Sequence, residues 1–513
     1  MVVIYHLNHK VVAVEGVQLE LLSGLEGKSV VDALFLVAKK ASHDKIVWCH
    51  KDLKKNLNKV FIQNNNSYSQ TLFTFQPSNS SYLSEAIGYV EQNPFIKVNR
   101  TVKYPTWLMS GAVGFTDASV LNAYQEHPRH SNLDFFLHSL AKSYQAYGLF
   151  CYSEPQLLLN STELTYKQEV ISQSRLFIFI KQHYKTPWIF ILLLNFLLHE
   201  KKIPFWGCFI SFFYKKIKPV PHQMEAKFKE GVALKNQTID VLIPTIGRKK
   251  YLYDVLCDLK NQSILPKAII IVEQNGQDAA VSELDYVTNE EWPFEIKHVF
   301  THQLGACQAR NKGLLLVRND WVFLADDDIR IDPHFLETCL HNCISYGQKA
   351  ITLSCLPEGV SQPEIPPYQL EYFGSGCSFV AREALDKLSF HLGYEFGYRE
   401  DLDFGMQIRN KGTDIVFFSH PKITHLKAPI GGFRTPFTFP WQEDKIQPKP
   451  SPTIMLYHLL HSSSKELLGA KTLLFLQYYP LQKMKNPILY TIYLMKQWRQ
   501  SLYYANRLKD NFK

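Results

Sequence analysis

From Thr238 onward, apolar runs and amphipathic stretches take turns along the chain. Ile239-Asp240-Val241-Leu242-Ile243 reads as a buried strand stopped by Pro244, and Tyr251 to Gln262 places Leu252, Val255, Leu256 and Leu259 at helical spacing. Ala268 to Val272 and Ile296 to Phe300 read as further strands, and Ala306 to Val317 as a helix. Trp321-Val322-Phe323-Leu324-Ala325 is an apolar strand that ends abruptly in Asp326-Asp327-Asp328. Phe373 to Val380 is a small-residue run leading into a strand. A helix beginning near Glu400 is stopped by Gly412, and Ile415 to Phe418 resumes a strand. Alternation of this kind predicts an α/β fold built on a doubly wound sheet.

A strand buried on both faces cannot end in three buried, unpaired carboxylates. Two readings stay open at this point. One is an acidic turn after an edge strand. The other is a cleft in which the aspartates hold a divalent cation that in turn holds phosphates. Ligands of doubly wound sheets lie beyond the carboxyl ends of the strands. Three polar clusters fall there: Pro244-Thr245-Ile246-Gly247-Arg248, Glu273-Gln274-Asn275 and Asp326-Asp327-Asp328. Together they outline a cleft suited to a nucleotide and its pyrophosphate. Arg310 and Asn311, on the helix before the acidic strand, either reach that cleft or form a solvated polar face. Gly374 and Gly376, either side of Ser375, allow backbone to approach a ligand closely. Glu400 and Asp401 fall at a helix N-terminus, where the dipole favours ionised carboxylates. That suits a general base acting on an alcohol; the plain alternative is an acidic cap. His425, after the next strand, is either a metal ligand or a structural histidine.

The order of these parts is more specific than any one of them. Strand-Pro-Thr-x-x-Arg, Glu-x-Asn-Gly, Arg-Asn-x-Gly, an Asp triplet, Gly-Ser-Gly, Glu-Asp-x-Asp and a strand with His resemble, in that sequence, the family 2 glycosyltransferases of GT-A fold. The resemblance covers about residues 238–434. It implies nucleoside contacts from Thr245, Arg248, Glu273 and Asn275, with Pro244, Arg310, Asn311 and Asp327 around the donor. It implies a DxD motif of Asp326 and Asp328 holding Mg2+ or Mn2+ on the diphosphate, with His425 as a further contact. Gly374, Ser375 and Gly376 match the wall beside donor sugar and acceptor. Asp401 matches the catalytic base, with Glu400 beside it, and Arg434 lies in a Gly-Gly-Phe-Arg loop able to close over the donor. Glu273 departs from the family, which often has Asp there. The implied reaction is an inverting sugar transfer.

At 513 residues more than one domain is expected. The N-terminal part echoes the later one: Asp44 to Leu53 lies on Asp320 to Ile329, keeping only the last carboxylate, as Asp52. Leu133-Asp134-Phe135 lies on Leu402-Asp403-Phe404, which puts Asn132 at the position of Asp401. The expected architecture is therefore a degenerate GT-A-like domain (1–165), a helical and membrane-interfacial linker (166–235), a catalytic GT-A domain with a doubly wound mixed sheet (236–435), and a Pro-rich linker with a basic helical tail (436–513).

Trp188 to Leu198 is intensely apolar but too short to span a bilayer. The aromatic run Phe205 to Tyr214 is followed by Lys215, Lys216 and Lys218. Buried linking helices and peripheral contact with the inner face of the cytoplasmic membrane both fit. A net charge of +9 without clustered basic-aromatic motifs does not call for nucleic acid. Nine cysteines without a CxxC pair read as free thiols in a reducing cytoplasm. The function expected is transfer of a sugar from a nucleotide sugar to a glycan or glycolipid during polysaccharide synthesis. A nucleotidyltransferase and a non-catalytic glycan-binding scaffold are the alternatives.

Overall fold

The computed structural model describes residues 1–16, 24–65, 70–78, 80–160, 166–220, 236–429 and 437–511. The chain divides into two compact units, Met1–Lys227 with Ser462–Gln477 and Phe228–His461 with Tyr478–Lys513. The C-terminal helices are shared out: nearly all of Ser464–Tyr478 belongs to the first unit, Pro452–His461 and Pro487–Asn511 to the second.

The first unit holds a seven-stranded mixed sheet of β1 (Val2–Leu7), β2 (Lys10–Gly16), β3 (Lys45–His50), β4 (Thr71–Phe75), β5 (Tyr104–Pro105), β6 (Val113–Asp117) and β7 (Phe150–Ser153). Its order is β2-β1-β3-β6-β4-β7-β5. Ile46 and Trp48 of β3 are buried because helices Val30–Lys40 and Leu133–Tyr144 turn apolar side chains into the same core. A Cβ on Gly114 would come within 2.3 Å of the Trp48 ring, so only glycine on β6 leaves room for the indole.

The second unit holds β8 (Ile239–Thr245), β9 (Ala268–Gln274), β10 (Glu295–Thr301), β11 (Trp321–Ala325), β12 (Ile329–Arg330), β13 (Ala350–Pro357), β14 (Tyr368–Gln369), β15 (Cys377–Ala381) and β16 (Val416–His425). Their order is β10-β9-β8-β11-β15-β13-β16-β12, with β14 also on β16. β8 to β11 are the parallel, doubly wound half that the alternating pattern predicts. Helix Lys249–Lys260 buries Leu252, Val255, Leu256 and Leu259, the residues at helical spacing. Helix Ala306–Leu314 packs so closely that a Cβ on Gly313 would sit 2.0 Å from Leu242. The buried Asp240 of β8 accepts the Arg318 and Asn319 N–H groups and the Asn319 amide at 2.8, 3.0 and 2.6 Å. A charge inside an apolar strand is thus fully bonded, and it fixes the turn that launches β11. His425 ends β16 rather than following it.

Six strands of each sheet share one weave. β1, β3, β6, β4, β7 and β5 lie in the same order, and pair with the same parallel or antiparallel sense, as β8, β11, β15, β13, β16 and β14. Matching hydrogen bonds set the register. The N–H of His50 donates to Ala112 O at 2.7 Å, and that of Asp326 to Gly376 O at 3.3 Å. Ser110 N–H meets Thr74 Oγ1 at 3.2 Å, and Gly374 N–H meets Thr352 Oγ1 at 3.4 Å. Thr106 N–H reaches Cys151 O, and Leu370 N–H reaches Ile415 O, both at 2.9 Å.

Candidate active site

A cleft of about 890 Å³ opens in the second unit beyond the ends of β8 and β11, a size suited to a ligand. The three aspartates that leave β11 there do three different things. Asp326 keeps its carboxylate in the cleft and receives Arg310 Nη2 at 3.2 Å. A Cβ on Gly376 would fall 2.2 Å from Asp326 Oδ2, so the glycine makes room for this carboxylate. Asp327 turns inward and accepts the Thr245 hydroxyl and Arg248 Nη1, each at 2.6 Å. Burial pushes its carboxyl up to about 6, against the pull of Arg248 and Thr245. In this structure Asp327, read from the sequence as a donor contact, pins the end of β8 to the end of β11. Asp328 accepts the Ala428 N–H at 2.8 Å and lies 3.3 Å from His425 Nε2. Burial alone would raise Asp328, but His425, the Ala428 N–H and Arg248 outweigh it and hold the carboxyl low. The hydrogen bond to Asp328 raises His425 in return.

Asp326, Asp328 and His425 bring ligand atoms within 4.8 Å of one another; among the described residues no other trio of metal-ligating side chains does so. Two carboxylates and an imidazole are a donor set that fits Mg2+ or Mn2+. Asp401, the second residue of helix Glu400–Asn410, faces the same cleft and accepts the Ser375 N–H at 3.3 Å. Burial raises Asp401 against the opposing charge of Arg310. Burial, with Asp401 next to it, raises Glu400 to about 7. Desolvation thus works against the helix end, which favours the ionised form of both carboxyls. Arg310 links the two halves of the site, touching Asp326 while its charge acts on Asp401.

Pro244, Thr245, Arg248, Gly374, Ser375 and Gly376 also line the cleft. Three residues assigned to the donor stand outside its lining. Glu273 is engaged by Ser282, the Glu283 N–H and His298. Asn275 accepts the Gln277 N–H. Asn311 makes two hydrogen bonds to the Phe390 backbone, at 2.8 and 2.7 Å. Arg434 lies outside the described residues. Two charged lining residues went unnoticed in the sequence. Glu395 accepts the Cys307 and Gln308 N–H groups at 3.1 and 2.9 Å, capping a helix that has no capping side chain of its own. Nothing local in the sequence marks that pairing. Lys427 places a cation in the cleft, and its position two residues after His425 was the available signal.

Residues 240–403 match the family model described as glycosyl transferase family 2. This segment is a family 2 glycosyltransferase domain. Among solved structures, the chain is similar to S. aureus TarS 1-349 in complex with UDP-GlcNAc, at 15% identity and a TM-score of 0.37, over 52% of this chain and 79% of that one. Against a longer S. aureus TarS structure the values are 14% and 0.34, over 48% of this chain and 44% of the other, so the match spans less than half that protein's length. GalNAc-T7 with UDP, GalNAc and Mn2+ gives 12% and 0.33, over 38% and 44%. No curated protein matches the chain in sequence.

The first unit repeats the frame of the family 2 domain and changes its contents. On the shared register His50, Lys51 and Asp52 stand at Asp326, Asp327 and Asp328. Ala112 stands at Gly376. The placement of Asn132 at Asp401 is corrected: Asn132 caps helix Leu133–Tyr144, and the helix's second residue, Asp134, accepts the Gly111 N–H at 2.8 Å. The match of Leu-Asp-Phe to Leu-Asp-Phe was two residues out of register. Chain from the same unit packs around this point. The Tyr166 ring meets the His50 ring edge-on at 5.2 Å, Glu169 lies 3.2 Å from His9 Nε2, and Gln168 pulls the Asp134 carboxyl down. β2 folds back antiparallel on β1, where β9 runs parallel on β8, so among the described residues the first unit has no counterpart of β9.

Proposed function

We propose that the family 2 domain transfers a sugar from a nucleotide-sugar donor to a hydroxyl of a glycan or glycolipid acceptor, with inversion, in the synthesis of a polysaccharide. The observation that carries this is the convergence of Asp326, Asp328, His425 and Asp401, from three separate chain segments, on one cleft. Asp326, Asp328 and His425 are the residues that would hold a divalent cation, which when bound neutralises charge on a diphosphate. Arg310 and Lys427 add fixed positive charge to the same cleft. Asp401 takes the acceptor hydroxyl proton as that oxygen bonds to the anomeric carbon. The bond from that carbon to the diphosphate oxygen breaks, and its electron pair leaves with the nucleotide. A carboxyl raised by burial accepts a proton better than a solvated one, which supports this role. Nine unbridged cysteines are in keeping with the cytoplasmic side of a membrane, where a glycolipid acceptor is met.

The test is a panel of sugar nucleotides offered to the full chain with Mn2+, scored by release of free nucleotide and by sugar appearing on acceptor. One donor should turn over and lose turnover with chelator. D401N should cut transfer by about 10³-fold while donor binding persists. Wild-type transfer by D401N removes Asp401 as the base, and no turnover of any donor removes the reading.

A further inference from the structure

The residues after the Pro187–Asn195 helix present an apolar surface that has no role in sugar transfer. Helix Phe205–Ser211 packs on helix Gln173–His183 through Gly207, Cys208 and Ser211. The fit is close enough that a Cβ on Gly207 would lie 3.0 Å from Ser174 Cα. Everything large on this helix therefore points the other way. Phe205, Trp206, Phe209 and Phe213 touch in a chain of ring contacts at 5.5 to 6.4 Å. They are 61, 70, 47 and 75% exposed, which is the reverse of what water favours for a ring cluster. Ile203, 68% exposed, and Leu198, 55% exposed, extend the surface.

The charges beside this surface are mostly positive, with Glu200 paired to Lys202 at 3.6 Å. Lys201, Lys202, Lys215, Lys216 and Lys218 lie between residues 201 and 220, a stretch without a single Asp or Glu. All five are exposed. No helix among the described residues is long and apolar enough to cross a membrane. Exposed aromatic rings flanked by lysines, on an element too short to span, have the chemistry of the bilayer interface. Rings enter the acyl boundary there, and lysines stay with anionic headgroups.

We propose that this surface of the first unit docks the protein on an anionic lipid bilayer, the Phe205–Phe213 rings inserting and the flanking lysines binding headgroup phosphates. Lipid is favoured over a second copy of the chain because a homodimer across this patch would set its lysines against like charge. The proposal is independent of the transfer reaction.

The experiment is co-sedimentation of the full chain with sucrose-loaded vesicles of phosphatidylcholine alone, or with about 30% phosphatidylglycerol, at low and high salt. Binding is expected to the anionic vesicles and to weaken with salt. W206S/F213S should reduce partitioning at least about tenfold, and K215E/K216E/K218E by about a hundredfold or more on anionic vesicles. These side chains are exposed, and unchanged circular dichroism would show that the variants fold. The proposal is overturned if the wild-type chain stays in the supernatant, or if it binds and W206S/F213S binds as well. It is also overturned if sedimentation velocity shows a dimer that W206S/F213S dissolves while vesicles capture nothing.

Discussion

At matching points of two sheets with the same weave, Asp326 meets the backbone of Gly376 and His50 meets that of Ala112. In the second unit the Gly376 position must lack a Cβ, because Asp326 fills the space. In the first unit the carboxylate is gone and the Cβ is present. The helix that follows keeps its acid in both units: Asp401 on the Ser375 N–H, Asp134 on the Gly111 N–H. One acid faces a cleft of about 890 Å³; the other is fully buried, in the unit where the Tyr166 and His50 rings pack edge-on. A shared frame therefore places a carboxyl group, but what surrounds it decides whether that group meets substrate. Among the described residues, the parallel β8–β9 half and the cation trio exist on one side only.

Paired substitution separates the two acids most sharply. D401N is expected to lower transfer by about 10³-fold, whereas D134N leaves it within about twofold. Equal losses in both would mean that the first unit takes part in the chemistry and that its filled frame misleads.

The next largest effect is steric. G376A installs in the second unit the Cβ that the first already has, 2.2 Å from where Asp326 Oδ2 now lies. Asp326 must move, and displacing one member of the cation trio should weaken Mn2+-dependent donor binding about thirtyfold. Calorimetry with a nucleoside diphosphate, with and without Mn2+, measures this directly. The mirror change A112G should alter neither binding nor transfer. Unchanged affinity in G376A would show that Asp326 is not needed to hold the ion.

Much of this arrangement was legible in the sequence because it is local. Alternating strand and helix patterns mark β8 to β11, and an acidic triplet at the end of an apolar strand is visible without coordinates. Arg310, Gly376 and His425 were named from their chain order. What escaped notice depends on contacts far apart in the chain. Asp327 looks like its neighbours until Thr245 and Arg248 are seen to claim it. Glu395 caps a helix that begins about 90 residues earlier, at Ala306. Asn132 was mistaken for the counterpart of Asp401 because a three-residue sequence match outvoted a backbone register that only the sheet pairing reveals.

A smaller, pH-dependent effect tests the bridge between the halves of the live site. The Arg310 charge lowers Asp401 while burial raises it. Removing the charge in R310Q lets Asp401 rise further, so the acid limb of kcat/KM should move to higher pH by about one unit. Activity on the acid limb then falls about tenfold more than activity on the plateau, and R310K restores most of the profile. A uniform loss at every pH would assign Arg310 to binding alone.

The smallest effect lies in the filled site and concerns stability. Burial raises Asp134, and Glu169 adds to the rise; the Gly111 N–H, His9 and Gln168 pull it back without cancelling it. A carboxyl whose folded pKa lies above its unfolded value of about 3.9 binds its proton more tightly in the folded state. Its contribution to stability is whole below the unfolded value and is lost as pH rises through the folded one. D134N abolishes that titration. The asparagine oxygen can still accept the Gly111 N–H. D134N should therefore match the wild-type melting temperature near pH 4 and exceed it by roughly 1–3 °C at pH 8. The gain should grow as pH rises from the unfolded value towards the folded one and level off beyond it. A loss at pH 8 would mean that the carboxylate is held by charge the first unit still supplies, as a working site would hold it, and the two acids would be more alike than their surroundings indicate.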